Sequence, residues 1–312
     1  MSEKFVIVVD STCDLDENFQ KEYDIEVIPG HFVSPDGKEH LSYPNWKEYD
    51  REDFYSQLKR DPDGFKTSPP NVEEARVFFI KHVKKGEGVI ALTLSSGLSG
   101  TYAFFEEARK LVEKEYPEAK IHIVDTLRFG PAAGLLAIHA SIRRKEGKSF
   151  KETYEWVEEN KNHFHQTGWM DDLKYLAKKG RLTNAKAFFG SLIGIKPIGE
   201  FDYNGMTTVI AKGKGEAKTY PLLLEYIAAH IIEPENQIIF VATSNEHKQA
   251  EVFKNMIEQR FHPKAVYVTD VHTGCGINIG PGLMAAYYYG KPISKGLVEE
   301  TAKIKELQER IK

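Results

Sequence analysis

The stretch "VIALTLSSGLSGTY", residues 89–102, decides the fold. An apolar, β-branched run stops at two serines, crosses two glycines with a third serine between them, and enters "AFFEEARKLVEKEY" (103–116). Such a pattern spells a strand, a turn of small residues and a helix. The same alternation surrounds it. "FVIVVD" (5–10), "IEVIPGHFV" (25–33), "GVIALTL" (88–94) and "AKIHIVDT" (119–126) read as strands. The helical stretches between and after them are "DENFQKEYD" (16–24), "REDFYSQLKR" (51–60), "VEEARVFFIKHVKKG" (72–86) and "PAAGLLAIHASIRRKEG" (131–147). Continuous apolar strands are the kind buried on both faces of a parallel sheet. Ligands of such sheets sit beyond the carboxyl ends of the strands, where the serine turn lies.

A chain of 312 residues exceeds what one domain usually needs. The character changes at the charged amphipathic stretch "SFKETYEWVEENKNHF" (149–164). The expectation is a two-domain α/β protein: residues 1–155 with a mainly parallel sheet flanked by helices, and residues 156–312 as a second α/β domain. In the second half, 171–179, 219–231, 246–260 and 295–311 read as helices, and 238–243 and 265–270 as strands. Asn204-Gly205 within "EFDYNGMTTVIA" (200–211) marks a hairpin.

Composition narrows the function. A net charge of −4 with no basic block speaks against nucleic acid as a partner. No uncharged run approaches the length of a membrane span, and the five-residue apolar run at 5–9 is too short for a signal peptide. Two distant cysteines, Cys13 and Cys275, lack metal-ligand spacing and fit reduced thiols in a cytoplasm. No Walker loop, nucleophile elbow, H-E-x-x-H or dinucleotide fingerprint occurs, so neither catalysis, a metal nor a cofactor has a motif behind it.

Several segments carry candidate chemistry. The serine turn aims hydroxyls and helix N-terminal N–H groups at one point, which suits an anion; the alternative is that Ser96 or Ser99 merely caps the helix. "KTSPPN" (66–71) is a second hydroxyl-rich loop, equally readable as a stiff turn. "DVHTGCGINIGPG" (270–282) sets His272 among glycines that let a ligand approach the backbone. "LAKKGRLTNAKAFFGSLIGIKPI" (176–198) places Arg181 after a glycine turn. Its small residues Ala185, Ala187, Gly190 and Gly194 suit either close helix packing or the wall of a narrow apolar tunnel.

Taken in order, "DSTCDL" (10–15), "KTSPPN", "LSSGLSGTY" (94–102), Asp125-Thr126, "LKYLAKKGRLTNAKAFFGSLIGIKPI" (173–198) and "HTGCG" (272–276) resemble the DegV family of fatty-acid-binding, FakB-like proteins. The resemblance spans nearly the whole chain. It implies a two-domain α/β protein that holds one long-chain fatty acid, such as palmitate, in a tunnel between its domains. In the bacterial family the protein presents the acyl chain to a separate fatty acid kinase for phospholipid metabolism and does no chemistry itself. The ligand would then be the only small molecule bound, with transient contact at a membrane surface. Matched residue by residue, the carboxylate contacts fall on Thr67 and Ser96, with Ser95 adjacent. His272 and Arg181 match the family's histidine and arginine near the head group or the kinase-facing surface.

Four departures stand out. Pro69 replaces the family's glutamine, Cys275 replaces a proline, and "LRFGPAAG" (127–134) replaces a serine- and glycine-bearing run. In "AKGKGEAK" (211–218), Lys214 stands where an arginine is expected, and a lysine does not reproduce a bidentate contact. Two other readings stay open: an acyl hydrolase using Ser96 or Cys275 with His272, and a binder of another small anionic metabolite.

Overall fold

A computed structural model describes residues 3–184 and 194–311. The chain divides into two compact units. Unit 1 comprises Met1–Asp50, Asp63–Lys161 and His272–Cys275, and unit 2 comprises Arg51–Pro62, Asn162–Val271 and Gly276–Lys312.

Unit 1 is built on a four-stranded parallel sheet. Its order is β2 (Ile25–Ile28), β1 (Phe5–Asp10), β6 (Gly88–Thr93) and β7 (Ile121–Asp125). All six residues of β1 and of β6 are buried, as the apolar runs require. Side chains alternate between faces. Val6, Val8, Val89, Ala91 and Ile123 pack with Ala75 and Phe79 of α3 (Val72–Val83) and with Phe105, Ala108 and Val112 of α4 (Thr101–Glu115). The other face meets α5 (Pro131–Lys145) and α6 (Phe150–Asn160). Gly134 lets α5 come close: a Cβ there would stand 2.8 Å from the carbonyl oxygen of Cys13 and from the Leu15 side chain.

The run 25–33 is two strands and not one. Pro29 offers no N–H for a ladder. Beyond it the chain leaves the parallel sheet and forms β3 (Gly30–Val33), the centre of a small antiparallel sheet with β4 (Glu39–Ser42) and β5 (Lys66–Ser68). The expected loop at 66–71 therefore begins as a strand, with Thr67 paired to Phe32.

Unit 2 carries a six-stranded mixed sheet. Its order is β10 (Thr207–Lys214), β9 (Ile195–Phe201), β8 (Phe164–Met170), β13 (Leu283–Tyr289), β11 (Ile238–Thr243) and β12 (Ala265–Asp270). Only β11 and β12 run parallel, joined through α9 (His247–Phe261); the Asn204-Gly205 hairpin joins β9 to β10. Tyr220, Leu223, Tyr226 and Ile227 of α8 (Gly215–His230) share a core with Phe253, Trp169, Met284 and, from α11 (Val298–Arg310), Ile304 and Leu307.

Within this sheet lies a buried polar pair. His165 is hydrogen-bonded through Nδ1 to Glu200 Oε2 at 2.8 Å, and its Nε2 lies 2.8 Å from the Lys291 carbonyl oxygen. Glu200 Oε1 accepts the N–H groups of Gln166 and Phe201, each at 2.9 Å, and Tyr226 adds its hydroxyl to Oε2 at 3.3 Å. The strands β8 and β13 escape a pattern reading, and the helix expected over 171–179 shortens to α7 (Lys174–Lys178). The glycine-rich run after β12 is helical over Thr273–Ile279, α10, and not an open turn. Of the small residues expected to line a tunnel, Ala185, Ala187 and Gly190 lie outside the described residues; Gly194 adopts a left-handed backbone at φ 71°.

Candidate functional site

The carboxyl ends of β1, β6 and β7 are joined by polar side chains. Asp10 ends β1. Its Oδ1 accepts the Thr12 N–H at 2.9 Å and the Thr12 hydroxyl at 2.5 Å, while Oδ2 accepts the Leu94 N–H at 2.5 Å. Burial pushes the Asp10 carboxyl up from its ordinary value, and these donors oppose the rise. Asp10 thus ties the first strand's exit to the start of the serine turn.

The next residues gather the other loops. Ser11 Oγ accepts the Gly30 N–H at 3.0 Å. Gly30 in turn sits so near β5 that a Cβ would lie 3.1 Å from the Ser68 carbonyl oxygen, which fixes the strand carrying Thr67. The Thr12 carbonyl accepts the Gly130 N–H at 2.8 Å, and the Cys275 thiol points to it at 3.7 Å. Asp14 takes a left-handed backbone (φ 51°), a conformation aspartate tolerates better than most residues. Its Oδ1 accepts both the backbone N–H of His272 at 3.1 Å and its ring Nδ1–H at 3.0 Å. A hydroxyl pair, Ser42 Oγ to Thr273 Oγ1 at 2.9 Å, holds the same segment.

The amides of the serine turn are all committed, two of them to the segment that follows β7 and to its last residue. Ser95 N–H donates to the Arg128 carbonyl at 3.0 Å, and Ser96 N–H to Asp125 Oδ1 at 3.0 Å. Gly97 N–H reaches Ser95 Oγ at 3.2 Å, and the N–H groups of Leu98 and Ser99 reach the Ser95 carbonyl. The backbone N–H groups of residues 95–99 are therefore all committed to partners within the protein. The capping alternative holds for Ser99 and not for Ser96: Ser99 Oγ accepts the N–H of Thr101, the first residue of α4, at 3.4 Å and bonds its hydroxyl at 2.9 Å, while the N-cap residue Gly100 makes no side-chain hydrogen bond. What remains is hydroxyl. Ser96 is exposed, and its Oγ makes no hydrogen bond to a described residue. Ser95 is fully buried, and Thr67 is exposed on β5.

Unit 1 thus brings the loops of Thr67, Ser95, Ser96 and His272 to one cluster around residues 10–14. Arg181 and Lys214 belong to unit 2. Arg181 is half-buried after Gly180, its N–H donating to the Leu176 carbonyl at 2.8 Å and its guanidinium to the Lys179 carbonyl. Lys214 ends β10, exposed beside a cavity of about 430 Å³ that Lys212, Lys218, Leu222 and Gln308 also line. The residues missed as contributors are Asp10, Ser11, Thr12 and Asp14. Their signal was present: an acid–hydroxyl run directly at the exit of an otherwise apolar strand.

Both thiols are free and buried. Burial, then the negative charge of Asp14 and Asp10, pushes the Cys275 thiol well up, which disfavours a thiolate nucleophile. Among the described residues no helix is long and apolar enough to cross a membrane.

Known proteins share this organisation. A DegV domain-containing protein of Clostridium perfringens is 34% identical over 289 residues, covering 92% of this chain and 98% of its own. A DegV lipid-binding protein of Thermotoga maritima matches in structure with a TM-score of 0.79 at 25% identity, over 93% of this chain and 99% of its own. DegV of Bacillus subtilis, described as a fatty acid binding protein, matches with a TM-score of 0.77 at 25% identity, over 93% and 100%. The family model described as "Uncharacterised protein, DegV family" aligns with residues 4–291, and with the fold and cluster above it establishes that this chain belongs to the DegV family.

Proposed function

We propose that this protein binds a long-chain fatty acid such as palmitate, its carboxylate held by the hydroxyls of Thr67 and Ser96 with Ser95 and His272 close by. The observation that carries the reading is the serine turn, whose amides are consumed internally while the Ser96 hydroxyl makes no hydrogen bond to a described residue. The relatives' descriptions as lipid- and fatty-acid-binding proteins support the same ligand class. Affinity would come mainly from the tail, at about 0.8 kcal/mol per buried CH₂, and orientation from the hydroxyls. On this reading the protein performs no chemistry and presents the carboxylate to a separate fatty acid kinase. Arg181 and Lys214 serve as partner-facing cations, and a reducing cytoplasm suits the two free thiols.

The hydrolase alternative is weaker. A nucleophile needs a base within hydrogen-bond reach. Among the described residues the ring of His272 bonds to Asp14, with neither Ser96 nor Cys275 bonded to it.

Native mass spectrometry of the purified protein, followed by extraction and identification of what it releases, tests the proposal. A stoichiometric fatty acid of roughly 14 to 18 carbons, depleted in Thr67→Ala/Ser96→Ala, is the expected result. A protein that is empty and also ignores added palmitate and oleate overturns it.

A further inference from the structure

The two faces of the unit 2 sheet differ in what they bury. One face, carrying Trp169, Ile198, Met284 and Tyr288, shares its core with α8, α9 and α11. Side chains alternate along a strand, and residues directly opposite one another in register share a face. Gly168 is opposite Gly199, and Phe201 is opposite Thr207. Gln166, Gly168, Gly199, Phe201 and Thr207 therefore stand together on the second face. None of them belongs to the core that the three helices cover.

Two polar groups on this second face are uncommitted. Thr207 is 3% exposed, and its hydroxyl is buried without a hydrogen-bond partner among the described residues. Gln166 is equally buried. Its carbonyl oxygen accepts the Tyr287 hydroxyl at 2.8 Å, while its amide NH₂ bonds no described residue. Both residues flank Gly199. A Cβ at Gly199 would lie 3.6 Å from Thr207 Cγ2 and 3.9 Å from Gln166 Nε2, which are ordinary contact distances. A methyl-sized space thus stands open between them. Gly168 is the contrast, since a Cβ there would fall 2.1 Å from the Met284 carbonyl oxygen. Backbone crowding demands glycine at 168, whereas at 199 the missing side chain leaves a recess.

A buried hydroxyl or amide without a partner costs free energy that a suitable oxygen recovers. The recess offers one N–H donor and one hydroxyl around room for one small group. Its surroundings are otherwise apolar, with Val209 opposite Gly199 and Ala285 opposite Gly168. A single hydroxyl on a hydrocarbon chain complements it, accepting from Gln166 and donating to Thr207. Resting on the fatty-acid reading above, we propose that this recess recognises the hydroxyl of a hydroxylated long-chain fatty acid. Gln166 and Thr207 are then specificity-determining residues that read the chain and not the carboxylate.

Equilibrium binding of stearate, and of hydroxystearates whose hydroxyl is moved stepwise along the chain, tests this. The expected result is a narrow range of hydroxyl positions bound about tenfold tighter than stearate, the gain of two net hydrogen bonds. Thr207→Val keeps the shape and removes the hydroxyl. Gly199→Ala fills the recess with a methyl that makes only ordinary contacts. Both variants should hold stearate as the natural protein does and lose the preference. Equal affinity across the series overturns the proposal, as does a preference common to every position or one that survives in either variant. Those results leave fatty acid binding intact. Failure to bind stearate and every hydroxystearate overturns both readings.

Discussion

The two units bury carboxylates for different ends. In unit 1, the buried Asp10 and Asp14 and the half-buried Asp125 stand at or just beyond strand exits, and each takes donors from loops: Leu94, His272 and Ser96 respectively. In unit 2, Glu200 lies within a strand and takes donors from the sheet itself, the amides of Gln166 and Phe201 and the ring of His165. The first arrangement positions segments that carry candidate ligand contacts. The second locks neighbouring strands where no candidate carboxylate contact lies. A buried charge is thus a fastener whose meaning depends on what it fastens.

The contrast breaks most easily at Glu200. Glu200→Ala leaves His165 and two amides without their acceptor in a fully buried site, and such a loss costs about 3–5 kcal/mol. Urea unfolding should show that loss while the folded fraction keeps its full fatty acid content; a stable variant that loses ligand would erase the distinction between the units. Asp10→Asn is the counterpart. One of the amide donors at Leu94 or Thr12 then faces an NH₂ group, which costs about 1–3 kcal/mol, and the serine turn loosens. Mass spectrometry of the bound lipid should show lowered occupancy out of proportion to the loss of stability.

The smallest effect sharpens the comparison within unit 1, away from the strand exits. His139 on α5 stacks on Trp156 at 5.5 Å, and burial, with the Arg143 charge, pushes its pKa down to about 4. An unfolded histidine titrates near about 6.5. Between those values the unfolded chain binds more protons, so stability rises with pH and is lost as pH falls from about 6.5 to 4. His139→Gln should flatten that part of the urea-midpoint profile and leave ligand content unchanged. An unaltered profile would assign the acid sensitivity elsewhere, His230 being the next group lowered by burial.

Much of the fold was legible because β1, β6 and β7 are apolar runs that end abruptly in polar residues. What escaped had a physical reason. The strand β8, "FHQTGWM", is fully buried yet polar in its middle, and its partners Glu200, Tyr287 and Tyr288 lie far along the chain. No periodicity marks a residue whose burial depends on a distant acceptor. The strand β5 has all three side chains exposed and owes its existence to backbone pairing with β3. The serine turn and His272 were recognisable as residue types, whereas the spending of the turn's amides on Asp125 and Arg128 was not. Asp14 stood in a legible acid–hydroxyl run, but its pairing was not legible, because its partner is 258 positions away.

That separation has a consequence for biosynthesis. Unit 1 draws nearly all its residues from the first 161, yet it is unfinished until His272–Cys275 arrive. At synthesis rates of about 5–20 residues per second, the N-terminal sheet waits on the order of ten seconds with Asp14 lacking its imidazole and Ser42 lacking Thr273. The nascent sheet can form in that interval, while the head-group cluster cannot. Assembly of the cluster therefore reports that the ribosome has passed residue 275, and a chain cut short before it carries the serine turn without its histidine.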